Sequence, residues 1–512
     1  MRVKLRCLTL LAALLVLTSS PLLEAADWPQ FRGPGRNGVS RETGLLDSWP
    51  EGGPPVLWRA DIGVGGGSCA IVGERLYVLG ALSDPESSER RPPRRDSLIC
   101  LNVADGQRLW DTPLGGFTKE RTYHSPHVTP TVFDGRVYAA DRTGHLACFN
   151  AESGEIQWQV ETAPLMGDAD HSHYGYSCSA LVRGGRVFVW SRYGKGGLPP
   201  ELRETLLSAE EREDLRTMDP EKRERFFWRI RCSMLAFDAE TGRLLWRTRP
   251  LGGSTRNDLA SPMVGEFGGR EMVLWPTGTQ LAAVRPEDGE VLWQFDYKKA
   301  FDLDNLGPSH SNVSPVVVDD LVIDQLWNHK ATNRTFCVRV GADGPQLVWQ
   351  TSKMVSWYHS YVARQGLLLG LDNQGLVKGS GAALPGTRPP EIGMLQCYDL
   401  RTGELLWHAN EFGSGIESEK RLAANRPGYI LADGKLIIQS REGVSLVRVD
   451  REGARVMSAF ELERRSRAYA IPSLADGRLY IRQTRGELVC FDLRTESWAK
   501  PAPESPLTES PD

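Results

Sequence analysis

The sequence predicts an all-β fold, an eight-bladed β-propeller of four-stranded antiparallel blades, on three observations. An eleven-residue pattern, small-x-Asp/Asn-x-x-Thr/Ser/Asp-Gly-x-x-x-Trp, fits Cys100–Trp110, Cys148–Trp158, Ala236–Trp246 and Cys397–Trp407, with altered copies at Ala283–Trp293 and Val338–Trp349. Its tryptophans recur at about 50 residues, the period of a propeller blade. Short alternating runs divided by glycine turns surround each copy, as in Val128–Val132, Asp134-Gly135, Arg136–Ala140, Thr143-Gly144, His145–Phe149, Ser153-Gly154 and Glu155–Trp158. Such spacing is that of consecutive hairpins.

The chain has 512 residues. Residues 1–26 read as a secretory leader: Arg2, Lys4 and Arg6 precede the apolar run Leu8–Leu17, and Leu23-Glu24-Ala25-Ala26 offers small residues for cleavage. That run is short for a bilayer and no longer one follows, so the expectation is an exported protein, periplasmic or extracellular, with no membrane span. Residues 27–55 are rich in Gly and Pro and read as an irregular arm packed by Trp28, Phe31 and Trp49. The propeller is expected over 56–498, and 499–512 read as a disordered tail.

Eight inner strand sets are matched by nine candidate outer strands, ending near Trp58, Trp110, Trp158, Trp246, Trp293, Trp349, Trp407, Met457 and Trp498. The surplus predicts ring closure, with Val56–Arg59 as the outer strand of the last blade and the defective Cys490–Trp498 copy left over. Closure removes an open sheet edge. Within the pattern, Asp or Asn accepts hydrogen bonds from turn amides and Gly takes the positive φ. Trp110, Trp158, Trp246, Trp293, Trp349 and Trp407 then bury flat surface against the following blade, a docking role.

Two insertions stand out. Ser83–Asp96 is charged and reads as a solvated loop. Leu198–Arg231 reads as helical, with Ser208 and Glu211 as a capping box. It leaves blade three to cover one mouth of the propeller or to pack on its rim.

A formal net charge of −4 gives no electrostatic case for nucleic acid. Cys100, Cys148, Cys397 and Cys490 share a slot that Ala236 and Ala283 fill in other copies, so they read as small buried side chains with free thiols. Cys69 and Cys178 lie at a second repeated place, and Cys232 and Cys337 have no evident mates. Pairing stays open for these.

The pattern, nearly ideal at Ala236–Trp246, resembles the tryptophan-docking motif of the pyrroloquinoline-quinone (PQQ) repeat propellers, and Trp28-Pro29-Gln30-Phe31-Arg32-Gly33-Pro34 is similar to the opening of secreted members. The resemblance covers about Asp27–Trp498. It implies the propeller, and it leaves two functions, because the family holds both quinoprotein dehydrogenases and non-catalytic members such as the BamB-type outer-membrane assembly factor. The enzyme branch would bring PQQ and Ca²⁺, in the alcohol dehydrogenases with adjacent cysteines. No Cys-Cys pair occurs here, and no Ca²⁺ constellation is readable.

Six of the nine histidines lie just before, or at the start of, a first strand: His124, His127, His171, His173, His310 and His359. Those loops gather at one face, with Asn312, Trp357, Tyr358, Asp168, Asp170, Tyr123 and Tyr174 beside them. The candidate ligand-binding set at the channel mouth is His124, His127, His171, His173, His310, Asn312, Trp357 and His359. Its bland alternative is a hydrogen-bonded funnel. His171-Ser172-His173 is the weak metal candidate, suited to Zn, Cu or Fe. Gly63-Val64-Gly65-Gly66-Gly67 lacks the Lys-Ser/Thr of a phosphate loop and reads as a flexible lead into the first strand. The expectation is therefore a non-catalytic scaffold that binds a protein or small ligand through its loop face and needs no cofactor. The alternative is a PQQ-dependent dehydrogenase of alcohols or sugars.

Overall fold

A computed structural model describes residues 27–90, 92–118, 126–166, 176–193, 198, 202, 205–207, 209–223, 232–252, 259–303, 309–310, 312–328, 333–356, 359–371, 395–409, 427–441, 443–463 and 469–499. Eight antiparallel sheets make eight blades, as the repeat predicts, seven of them four-stranded and the fifth five-stranded because Ser309–His310 adds a short strand to it. Blade 1 is Ala70–Val72, Arg75–Ser83, Arg94–Asn102 and Arg108–Thr118, and blades 2 to 7 follow in the same order along the chain. First strands of neighbouring blades approach one another, so they form the innermost layer around the axis. An antiparallel meander then sorts its connections. Loops leading into first strands and loops joining second to third strands share one face, the loop face. Tight turns occupy the opposite turn face.

The turns follow from their residues. Asp134-Gly135, Asp433-Gly434 and Asp476-Gly477 each place two successive residues at positive φ, the mirror-image turn that matches strand twist. In the docking motif, Asp238 Oδ1 accepts from the amides of Glu240 and Thr241 and from the Thr241 hydroxyl, and Asp399 repeats this with Arg401 and Thr402. Six indole N–H groups then donate to the corresponding turn of the next blade: Trp58 to Val103 O, Trp110 to Glu152 O, Trp158 to Ala239 O, Trp246 to Pro286 O, Trp349 to Leu400 O and Trp407 to Asp450 O. Glycine is required beneath the ring. A Cβ at Gly242, where φ is +71°, would stand 2.6 Å from the Trp158 ring.

Strand register corrects one reading of the repeat. Cys100, Cys148, Ala236, Ala283, Cys397 and Cys490 lie opposite Trp110, Trp158, Trp246, Trp293, Trp407 and Trp58, and in blade 5 the residue opposite Trp349 is Cys337 rather than Val338. Cys337 is thus a fifth thiol in the slot, and the two surplus residues of that copy fall in the turn. All eight cysteines of the described residues are buried, and none is in a disulfide. Burial pushes Cys337, Cys397 and Cys490 up to about 12, which disfavours the nucleophilic thiolate. Cys69 and Cys178 do not share a slot, since Cys69 directly precedes the first strand Ala70–Val72 whereas two residues separate Cys178 from the first strand Leu181–Arg183.

Closure follows the expected route. Val56–Asp61 pairs with Glu487–Asp492 and completes blade 8. The strand expected to be surplus, Arg494–Ala499, pairs instead with Thr43–Leu45 of the arm. Blade 7 has Ser458 opposite Leu446, where other blades place a tryptophan. The reason is topological. A tryptophan there would dock on the turn between the third and fourth strands of blade 8, and that turn does not exist, because the fourth strand arrives from the other end of the chain. The arm fills the gap: the Trp49 amide donates to Ser458 Oγ, its ring meets Phe460 edge-on at 5.3 Å, and Phe460 meets Phe491.

The insertion of blade 3 runs between its second and third strands and contains the helix Ala209–Thr217. Leu198, Leu207 and Leu215 are buried in the same apolar cluster as blades 2 and 3, so the segment is anchored on the body of the ring. The expected cap residue Ser208 lies outside the described residues.

Candidate functional site

The two ends of the central channel are built differently. First strands present one main-chain edge to the axis, and an unpaired edge is a polar surface that needs partners. At the turn-face end the arm supplies them. Trp28 pairs antiparallel with Ile71 of blade 1 (2.9 and 2.8 Å), Pro29 O accepts from Val132 of blade 2, and Gly38 and Ser40 bracket Leu431 of blade 7 (2.8 Å each). Arg36 donates to Ala180 O and Ser179 O of blade 3, Arg32 donates to Tyr361 O of blade 6, and Glu42 accepts from the Gly477 amide of blade 8. Six blades are thereby tied to one floor.

Above the floor runs a belt of hydroxyls. The amide of Ile471 donates to Ser68 Oγ, Ser68 to Thr129, Thr129 to Ser179, Ser179 to Ser261, Ser261 to Ser314 and Ser314 to Ser360, at 2.8 to 3.1 Å. Each bond links one blade to the next, and the chain stops between blades 6 and 8. Blade 7 carries Gly428 at this position. A Cβ there would stand 2.8 Å from Ala470 O and 3.0 Å from Ile471 Cα. Sequence reasoning missed this belt, although a Ser or Thr five residues before the first turn (Thr129 before Asp134, Ser314 before Asp319) was a readable signal.

At the loop-face mouth the glycines 63–67 are close-packed, which replaces the expectation of a flexible lead. A Cβ on Gly65 would stand 1.7 Å from Arg482 Nη2, one on Gly66 would stand 2.3 Å from His127 Nδ1, and one on Gly67 would stand 2.1 Å from Val128 O. Gly66 lacks a side chain where His127 and Tyr469 meet edge to face, 5.4 Å between centroids, joining blades 2 and 8 across blade 1. Arg482 is buried, donates to Gly67 O at 2.7 Å and is lowered to about 10 by desolvation. Gln325 makes the analogous link in blade 5: its amide gives to Ser356 O and receives from Ser356 N, and Tyr361 and Thr335 extend the network.

Three of the eight candidate residues have described side chains. His127 packs on Tyr469, and His359 is buried beside Ser356, to whose Oγ its amide donates at 3.3 Å. Asn312 is buried with neither amide nitrogen nor oxygen hydrogen-bonded among the described residues. His310 is described in its backbone alone, pairing with Trp327. His124, His171, His173 and Trp357 lie outside the described residues, as do Asp168, Asp170, Tyr123, Tyr174 and Tyr358.

Buried acids near this end have their own partners. Asp96 accepts from Arg142 Nε and Nη2. Asp141 meets His145 Nδ1 at 2.8 Å and the Thr143 hydroxyl, which raises the histidine, first through that hydrogen bond. Asp324 accepts from Tyr297 at 2.7 Å, and desolvation raises it to about 7. Among the described residues no three His, Cys, Asp or Glu side chains converge on a metal position.

Comparison with known proteins agrees with the architecture. A family model described as outer membrane protein assembly factor BamB matches residues 52–197 and 229–409, more than half of the chain. The outer membrane protein assembly factor BamB of Alkalilimnicola ehrlichii is 39% identical over 64 residues, which are 12% of this chain and 16% of that protein. Among solved structures, BamB from Moraxella catarrhalis aligns with a TM-score of 0.52 at 13% identity, covering 86% of this chain and 99% of that one. The quinohemoprotein alcohol dehydrogenase ADHIIG from Pseudomonas putida HK5 gives 0.53 at 11% identity, covering 94% and 82%. At such identities the structural likeness is one of fold.

Proposed function

Because the chain belongs to the outer membrane protein assembly factor BamB family of PQQ-repeat propellers, we propose that it is an exported, non-catalytic scaffold that takes a protein partner on its loop face. One observation supports this reading: residues 28–42 bond across the inner strands of six blades at the turn face, which makes the loop face the end at which to seek a partner. The matched relative's name, an outer-membrane protein assembly factor, makes proteins on the way to an outer membrane the partner class to test. The leader Arg2–Ala26 supports export, and no helix among the described residues is long and apolar enough to cross a membrane.

A photo-crosslinking residue placed in cells at exposed Arg485, on the loop face, should give a discrete adduct with an envelope protein. The same residue at exposed Arg270, on the turn face, should give none. Adducts at Arg270 alone would overturn the assignment of faces. The quinoprotein alternative is favoured only by fold. Purified protein given PQQ, Ca²⁺ and an artificial electron acceptor with alcohols and sugars should leave the dye oxidised, and reduction would replace the scaffold reading with the enzymatic one.

A further inference from the structure

We propose that the turn-face end of the channel is a binding site for a turn-rich peptide, filled in this molecule by residues 27–42 of its own chain. This does not depend on how the loop face is used. The segment behaves as a ligand of the ring rather than as part of its core. Its bonds to the inner strands run mainly through main-chain atoms: Ile71, Val132 and Leu431 offer edges, while Ser179, Ala180 and Tyr361 offer carbonyls. Edge pairing of this kind is how sheets accept foreign strands.

The segment is also folded upon itself. Gln30 Nε2 donates to Pro34 O, Gln30 Oε1 accepts from Arg36 Nη1 at 3.1 Å, and the Gly38 amide returns to Arg32 O. Gly33, at φ +80°, lies against the Trp28 ring, where a Cβ would stand 2.8 Å away. A ligand ordered in this way loses little entropy on docking. Specificity comes from three side chains four residues apart. Trp28 is buried between blade 1 and Gly33, Arg32 points to blade 6, and Arg36 points to blade 3. Neither guanidinium has a hydrogen-bonded carboxylate among the described residues. Carbonyl oxygens hold both, and the site therefore selects an aromatic residue followed by two arginines. Burial lowers both to about 10, so they stay charged at neutral pH.

The test uses the full chain carrying Trp28→Ala and Arg36→Ala together, and a fluorescein-labelled peptide with the sequence of residues 27–42. Anisotropy should show saturable binding to the double variant at least tenfold tighter than to the unaltered protein, whose tethered arm competes at high effective concentration. The peptide carrying the same two substitutions should not bind. Equal binding to both proteins, or no binding to a variant that retains cooperative unfolding, overturns the proposal. Where the double variant does not fold, a protease site inserted between exposed Glu51 and Gly52 of the otherwise unaltered chain replaces it. After cleavage the released arm should co-elute with the ring and exchange for excess labelled peptide, and an arm lost at once refutes the site.

Discussion

Seven seams between blades are closed by one device, and the seam between blades 7 and 8 by another. From blade 8 round to blade 7, a tryptophan of one blade leans on the turn of the next, and in all but one case its N–H is bonded to that turn. Trp293 is the exception, its N–H unbonded among the described residues. The 7–8 seam has neither the tryptophan nor the turn, and the hydroxyl belt is missing there too. Trp49, Phe460, Lys435 and the Thr43–Leu45 pairing take their place: Lys435 Nζ, itself buried, reaches Asp433, Asp47 and Leu45 O. A repeated seam is written in the sequence once per blade, whereas the closing seam is assembled from both ends of the chain and exists only when both are present.

The largest effect should come from removing a regular anchor. Trp158→Ala deletes a buried indole, its bond to Ala239 O and its contact with Tyr138, and should cost about 3–5 kcal/mol in urea denaturation. Trp293→Ala removes a ring that is less buried and has no bond to lose, and should cost at least about 1 kcal/mol less. Equal losses would mean that the indole bond contributes nothing to a seam.

Glycines sharpen the contrast, because conformation and close approach can be separated. Gly242 and Gly434 have φ of +71° and +70°, yet a Cβ on Gly434 meets nothing within 4 Å. Gly434→Ala should cost only the left-handed strain, about 1 kcal/mol. Gly242→Ala adds the collision with Trp158 and should cost about 3 kcal/mol.

This separation explains what could be read beforehand. The docking motif was legible because Asp, Gly and Trp are each demanded by local chemistry that recurs. The closing strand was legible by counting. The 7–8 seam was not, since Trp49 and Phe460 meet only in space and follow no period. The floor was not legible either. Trp28 and Trp49 read as packing residues, but nothing in the pattern says that Arg32 and Arg36 would be buried against carbonyls of blades 6 and 3. The histidine loops were singled out because they differ between copies, and a difference between copies marks a place without naming its chemistry.

A regular seam also hides a titrating group. Asp324, in blade 5, faces Tyr297 of the preceding blade and is raised to about 7, chiefly by desolvation. Its unfolded carboxyl ionises near 4, so between about pH 4 and 7 the folded chain holds a proton that the unfolded chain releases. The stabilisation is complete below that window, falls as pH rises through it, and is gone above 7. The protein should therefore resist urea better at pH 5 than at pH 8 through this group, by an amount on the order of a few kcal/mol. Asp324→Asn should flatten that slope without altering the contribution of the closing seam, and an unchanged slope would remove Asp324 as its source.

The smallest effect concerns the belt, and it asks whether the break at blade 7 matters. Ser314→Ala leaves the Ser261 amide without its acceptor inside the ring, and should cost about 1–2 kcal/mol. Ser360→Ala should cost the same by orphaning the Ser314 amide, although Ser360 is the last hydroxyl of the belt and passes no belt bond on to blade 7. If the belt acts as a cooperative chain, the Ser314 change, in its middle, will exceed the Ser360 change, at its end. If it is a set of independent clasps, the two will match and the double variant will show their simple sum. The second outcome is favoured here, because each bond runs from an amide to a hydroxyl of the next blade and the hydroxyls do not bond to one another. Interruption at Gly428 then removes only the bonds of blade 7 itself, and the arm bonds to Leu431 on that same strand stand in their place.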